Sequence, residues 1–223
     1  MHPSPSPSAG APPLPRLIAR AAGTTPAPPA IGVAQQLAEW IDWPRAVELS
    51  QALQAPVPEV ADVSPDMERL RAEYRELRAG LAADIQAGPK RAPASGGFAP
   101  FQRHIQTMQR AMLGASGRLR GDLRECLAAG TAAQARLAAV DAQMEAALSP
   151  RESALLAGVA EALGQRFERL RARAADDPAT AATQDDGAAR VRIFRLELRD
   201  VLLAELDLRF QPLEGLLAAL RSP

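Results

Sequence analysis

Of the 20 prolines in this 223-residue chain, 13 stand before residue 66, and the stretches 101–149, 151–177 and 179–211 contain none. Proline lacks a backbone donor and clashes with the carbonyl four residues back, so a proline-dense segment cannot sustain a long helix and these proline-free runs can. The chain therefore divides into a broken N-terminal part and a part able to form long helices. Alanine and leucine fill the second part, and the whole chain has eight aromatic residues, a composition that favours helix over sheet. The expected fold class is all-α: an elongated up-and-down helical bundle with coiled-coil-like helices, preceded by short helices and a disordered Pro-rich N-terminal tail.

Residues 1–13, "MHPSPSPSAGAPP", are Pro/Ser/Ala low complexity and read as that tail, being too poor in large apolar groups to pack. Residues 14–55 read as short helices. One covers about 15–22 and presents Leu17 and Ile18; a corner follows within "LAEWIDWPRAVELSQAL", residues 37–53. Val33, Leu37, Trp40 and Ile41 recur at helical spacing, while Pro44 disfavours α geometry at Trp43 and fits the first turn of a second helix. Both tryptophans, Trp40 and Trp43, stand at this corner. They read as a structural staple of the short helices onto the bundle, with a partner-facing anchor as the alternative.

After a linker over 56–64, the bundle is expected over 65–220. Ser64 can cap, Pro65 fits the first helical position, and Asp66 and Glu68 suit the positive end of the helix dipole. Met67, Leu70, Tyr74, Leu77, Leu81 and Ile85 repeat by threes and fours until Gly88-Pro89. Beyond a flexible loop near 88–97, residues 101–127 are the most amphipathic stretch. Phe101, Ile105, Met108, Met112, Leu119, Leu123 and Cys126 share one side, with Arg103, Arg110, Arg118 and Arg124 roughly opposite.

Gly130 closes that helix, and Thr131 with Gln134 forms a capping box for the next, whose stripe is Leu137, Val140, Met144 and Leu148. Ser149, Pro150 and Glu152 predict a second box, opening a helix with Leu155, Val159, Leu163, Phe167 and Leu170. Two such boxes predict an antiparallel hairpin with tight corners. A second flexible loop is expected near 176–188, and the last helix carries Val191, Phe194, Leu198, Val201 and Leu202, kinked at Pro212.

Reaction chemistry finds no foothold in these patterns. The histidines are His2, in the tail, and His104, on an arginine-flanked helix; with the lone Cys126 they cannot build the usual zinc set. No HExxH, GxSxG, GxGxxG or GxxxxGK[ST] spacing occurs. We therefore expect no catalytic residue, no metal and no cofactor, and Cys126 as inert core. The N-terminus lacks the basic start and apolar run of a secretory signal. Residues 21–38 are uncharged, but Pro26, Pro28 and Pro29 rule out a spanning helix there, so no membrane insertion is expected and the cytoplasm is the default location.

Charge is balanced overall, with 25 arginines and Lys90 against 26 acids, and is uneven locally. Residues 88–137 hold Lys90 and seven arginines against Asp122 and Glu125, a net of +6, whereas residues 39–68 hold seven acids against Arg45, a net of −6. Such segments either complement each other within the chain or form two partner surfaces. The face Arg103/Arg110/Arg118/Arg124 reads as solvated or internally paired, with nucleic-acid binding as the alternative. In the last helix Glu205 and Arg209 fall on the apolar stripe at i,i+4 spacing, an arrangement suited to a buried ion pair that sets helix register.

Three blocks, "LAEWIDWPRAVELSQAL", "SPRESALLAGVAEALGQRFERLR" and "VLLAELDLRFQPLEGLLAAL", in this order and spacing, resemble a proteobacterial family of helical proteins known only as a domain of unknown function. The resemblance covers roughly residues 14–220. At Pro44 relatives carry a threonine-type cap, and "GASGRLRG" is looser than the family pattern, which bears on helix detail. The family brings no catalytic residues. The resemblance implies a neighbourhood: a stator-like or TolQ/ExbB-type channel protein and an OmpA-like peptidoglycan-binding protein, as in Zorya-type anti-phage loci. The expected function is a non-enzymatic cytoplasmic adaptor docking on such a channel or other neighbours. The alternatives are nucleic-acid binding through the arginine face and a homodimeric coiled coil.

Overall fold

The computed structural model describes residues 14–24, 35, 40–54, 67–89, 97–175 and 184–221. Six α-helices stand among them: α1 (Leu14–Ala22), α2 (Trp43–Gln54), α3 (Met67–Ala87), α4 (Ala99–Ala128), α5 (Ala132–Ala175) and α6 (Gln184–Ala219). No strand occurs among the described residues, and the all-α helical bundle is the observed fold class. The tail 1–13, the linker 56–64, Ser64 to Asp66, and Val33 and Leu37 of the tryptophan segment lie outside the described residues. No described helix is long and apolar enough to cross a membrane.

Local chemistry explains several helix ends. α1 stops at Gly23, whose φ of 75° only glycine adopts without strain. Gly23 N–H donates to Arg20 carbonyl at 3.1 Å and Thr24 N–H to Ala19 carbonyl at 2.8 Å, the paired bonds of a Schellman end. α3 ends likewise at Gly88, φ 67°. α2 starts where Asp42 Oδ1 accepts the Arg45 N–H at 3.1 Å, so Asp42 is the cap and Pro44 sits within the first turn.

The capping box after α4 forms: Thr131 N–H donates to Gln134 Oε1 at 2.8 Å, and Gln134 N–H to Thr131 Oγ1 at 3.4 Å. Gly130 precedes it for reasons of space rather than conformation. Its φ is not positive, but a Cβ there would lie 2.0 Å from Gln134 Oε1.

The second expected corner is absent. α5 runs unbroken for 44 residues through Ser149, Pro150 and Glu152. Proline inside a helix costs about 3 kcal/mol from the lost hydrogen bond and the clash with the carbonyl four residues back. Both Pro150 and Ala146, the residue carrying that carbonyl, are exposed, so the carbonyl can tilt into solvent. The inward line of α5 passes unbroken under the proline: Ala138, Asp141, Glu145, Glu152, Leu156, Val159, Leu163 and Phe167 fall within an arc of about 80° at 3.6 residues per turn.

That line departs from the expected stripes at Leu137 and Leu155, whereas Val159, Leu163 and Phe167 of the second stripe are buried as expected. Leu137 and Leu155 are exposed, at 38% and 67%, while Ala138 and Leu156 are buried. Carboxylates at 141, 145 and 152 hid the inward line, because a hydrophobicity reading places such residues on the solvent side. At the other end of the expected loop, α6 starts at Gln184, so part of 176–188 is helical. α6 also runs through Pro212 as one helix.

The helices divide into two compact units, and α3, α4, α5 and α6 each contribute to both. One comprises α1 with Ala82–Met108 and Val159–Leu208. Its centre is four of the five phenylalanines of the chain, which explains how so few aromatics suffice. Phe101 and Phe194 meet edge to face at 5.0 Å, Phe167 and Phe194 at 5.1 Å, and Phe98 lies 5.8 Å from Phe167. Phe98, just beyond the loop expected over 88–97, reaches this cluster because Gly164 leaves room: a Cβ at 164 would lie 3.1 Å from its ring. Arg169 closes α1 by donating to the Ala21 carbonyl. Arg166 and Glu197 form a two-bond pair at 2.7 and 2.8 Å, and that hydrogen bonding holds the Arg166 guanidinium above its ordinary pKa against partial burial.

The other unit comprises α2, α3 through Leu81, Gln109–Gly158 and the chain from Arg209. Leu70, Met112, Leu119, Leu123, Leu127, Leu156, Phe210 and Leu213 are buried in it. Gln134, besides its box, donates from Nε2 to the Ala219 carbonyl at 3.1 Å, so one side chain closes a turn of α5 and the end of α6.

Candidate interaction surface

The tryptophan corner splits into two environments. Trp40 is half-buried, and the Arg151 guanidinium of α5 lies 5.6 Å from its ring centroid, a cation–π contact. Trp43 is 80% exposed. It is the first residue of α2, a helix with no fully buried residue; half-buried Arg45, Leu49 and Ala52 lie on the opposite side of that helix, while half-buried Val47 lies one turn on from Trp43. The expected double staple is thus corrected at Trp43: the Asp42 cap starts the helix one residue before the proline and leaves this ring in solvent. Trp40 keeps the packed role.

The arginine face is also divided. Arg103, Arg110 and Arg118 are exposed on α4, but Arg124 turns inward and pairs with Glu145 and, at 3.3 Å, with Asp141. Arg120, absent from the expected face, is the better-held cation. Its Nε and Nη2 donate to the two Asp141 oxygens at 2.8 and 2.7 Å, and its Nη1 lies 3.5 Å from Glu145. Burial lowers the Arg120 pKa, yet the hydrogen bond and charge of Asp141, with Glu145 and Glu152 adding, outweigh it and leave the pKa raised. Gln109 donates from Nε2 to the Leu156 carbonyl at 3.2 Å, so pairs of falling and rising number fix α4 and α5 antiparallel here. The legible signal for Arg120 was the acid pair Asp141/Glu145, one helical turn apart.

Glu205 and Arg209 are buried, at 0% and 9% exposure. Arg209 Nη1 donates to Glu152 Oε1 of α5 at 3.1 Å. The glutamate expected in a capping box is therefore a cross-helix partner of a buried arginine.

Two open clefts accompany these features. One, of about 490 Å³, is lined by Arg71, Arg75, Glu214 and Arg221, with Tyr74 donating to Glu214 at 2.7 Å. The other, of about 510 Å³, is lined by Asp84, Arg103, His104 and Met108. His104 has a buried Nε2 without a hydrogen-bond partner, and burial lowers its pKa against the opposing charge of Asp84. Cys126 is buried at 6% exposure, and burial pushes its thiol pKa up against the pull of Arg69. Among the described residues, no group of three or more His, Cys, Asp or Glu side chains could hold a metal ion.

A protein-family model described as "Protein of unknown function (DUF3348)" matches residues 1–222. The chain belongs to the DUF3348 family. No curated protein and no solved structure matches it. The DUF3348 match spans the short helices and the bundle alike, so the Trp40–Trp43 corner and the buried α5–α6 contacts lie within one family unit.

Proposed function

We propose that this DUF3348 chain is a non-enzymatic cytoplasmic adaptor that docks on another protein through the Trp43 corner. The observation that carries the reading is an 80% exposed tryptophan at the Asp42-capped start of a helix with no fully buried residue. Aromatic anchors of this kind supply most of the energy at protein interfaces. The partner we propose is a component of a membrane proton-channel assembly of the stator or TolQ/ExbB type, in an anti-phage setting, which is the neighbourhood the family resemblance implies. Affinity purification of the tagged chain from its native host tests this. Recovery of the channel subunit, reduced by Trp43→Ala at unchanged helix content, is expected; recovery of the chain alone at native abundance contradicts it.

A second reading, nucleic-acid binding, draws on the exposure of Arg103, Arg110 and Arg118. With Arg124 occupied by Asp141 and Glu145, only part of the expected footprint remains outward. Salt-dependent binding to duplex or single-stranded probes supports it, and no binding at low salt excludes it.

A further inference from the structure

Asp84 and Arg103 stand against the preference of their own helices. Asp84 lies in the last turn of α3, where the negative end of the helix dipole disfavours a carboxylate. Arg103 is the fifth residue of α4, close to a positive end that disfavours a cation. Both side chains are exposed, and neither makes an ion pair or a side-chain hydrogen bond among the described residues. They nevertheless line one cleft, of about 510 Å³, without pairing with each other. A strip of α4 spaced by threes and fours, Pro100, Arg103/His104 and Thr107/Met108, forms one side of it, and Asp84, Ala87 and the turn at Gly88-Pro89 form the other. His104 in this lining has a buried Nε2 without a hydrogen-bond partner, a cost that persists until something supplies one. Burial favours its neutral form, so Asp84 and Arg103 set the charge pattern of the cleft.

We infer that this cleft binds a small zwitterion of the amino-acid type with an apolar side chain, its ammonium toward Asp84 and its carboxylate toward Arg103. The charge pattern selects the occupant. A simple anion meets Asp84, a simple cation meets Arg103, and a molecule carrying both charges a few bonds apart complements the two. A guanidinium holds a carboxylate by paired hydrogen bonds, and Arg103 has no carboxylate of the chain to compete. Ala87, Pro89, Pro100 and Met108 give the rest of the lining an apolar character suited to an aliphatic side chain. Binding here requires nothing of the Trp43 corner, so its failure leaves the adaptor reading untouched.

The test is calorimetric titration of the full chain with leucine and with leucyl-leucine. Two blocked forms serve as controls: N-acetyl-leucine, which lacks the ammonium, and leucinamide, which lacks the carboxylate. At least one zwitterion is expected to bind with a millimolar or tighter Kd, and each blocked form on the order of tenfold more weakly than leucine or not at all. Which zwitterion binds better distinguishes a free amino acid from a peptide as the source. Asp84→Asn and Arg103→Gln should each weaken binding on the order of tenfold at unchanged helix content, since neither side chain is paired within the fold. The His104 ring resonances, assigned by their loss in His104→Asn, should shift on saturation. Absence of binding by both zwitterions at about 10 mM overturns the inference. So does a blocked form that binds as well as the zwitterions, or binding that either substitution leaves unchanged.

Discussion

Arg209 of α6 donates to Glu152 of α5 at 3.1 Å, and the arginine side chain is only 7% exposed. Glu152 can reach it only because α5 continues through Pro150 instead of turning there. A continuous helix makes Pro150 a cost of about 3 kcal/mol, offset in part by the stiffness proline gives the unfolded chain. Pro150→Ala should therefore stabilise the protein by about 2 kcal/mol, read as a raised urea midpoint. Were Pro150 the first residue of a new helix, the same change would be neutral or destabilising.

Glu152→Ala should destabilise by about 1–2 kcal/mol, since it strips a charged partner from a nearly buried guanidinium. Exposure of Glu152 itself, at 38%, keeps the loss below that of a fully buried pair. Comparing the denaturation midpoints of Glu152→Ala and Glu152→Gln checks this, with the glutamine variant expected to lose less.

Gly130→Ala should lower stability by about 1–2 kcal/mol even though alanine usually improves on glycine at negative φ. The reason is the 2.0 Å approach of an added Cβ to Gln134 Oε1, which dislodges the capping box and with it the bond to the Ala219 carbonyl. In a double-mutant cycle with Gln134→Ala the two losses should be far from additive. Additive losses would mean that Gly130 serves something other than room for Gln134.

His104 gives the fold an acid limit. Its pKa is lowered in the folded chain, chiefly by burial, from an ordinary 6.5. The unfolded chain therefore binds the proton more readily, so this contribution to stability is complete above about pH 6.5 and is lost as pH falls toward the folded value. His104→Asn should flatten that part of the stability profile, measured by urea denaturation across pH 5 to 8. A profile unchanged by the substitution would contradict the assignment.

How much of this was legible from residues alone follows from what each element presents. α4 was readable because its central stripe is apolar, and Phe101, Ile105, Met112, Leu119 and Leu123 are all at most 1% exposed. α5 misled because its inward line carries Asp141, Glu145 and Glu152, satisfied only by arginines on other helices that no local pattern reveals. Ser149-Pro150 offered a locally consistent cap, and tertiary packing on both sides of it overrode that preference. Glu205 and Arg209 were found as buried because apolar residues flank them on the helix wheel, but Glu152 as a partner needed the packed α5–α6 contact. At the tryptophan corner spacing located the turn, and the placement of the cap at Asp42 decided which ring faced solvent.

Docking at this corner requires Trp43 to be bare in the free chain and available to a partner. Trp40→Phe leaves Trp43 as the only tryptophan, and its emission maximum with acrylamide quenching reads its exposure without interference. The full-length variant alone should emit as a solvent-exposed indole and quench readily, and addition of the recovered channel subunit should shift emission to the blue and protect the ring. A blue-shifted, protected Trp43 in the dilute free chain would contradict the account.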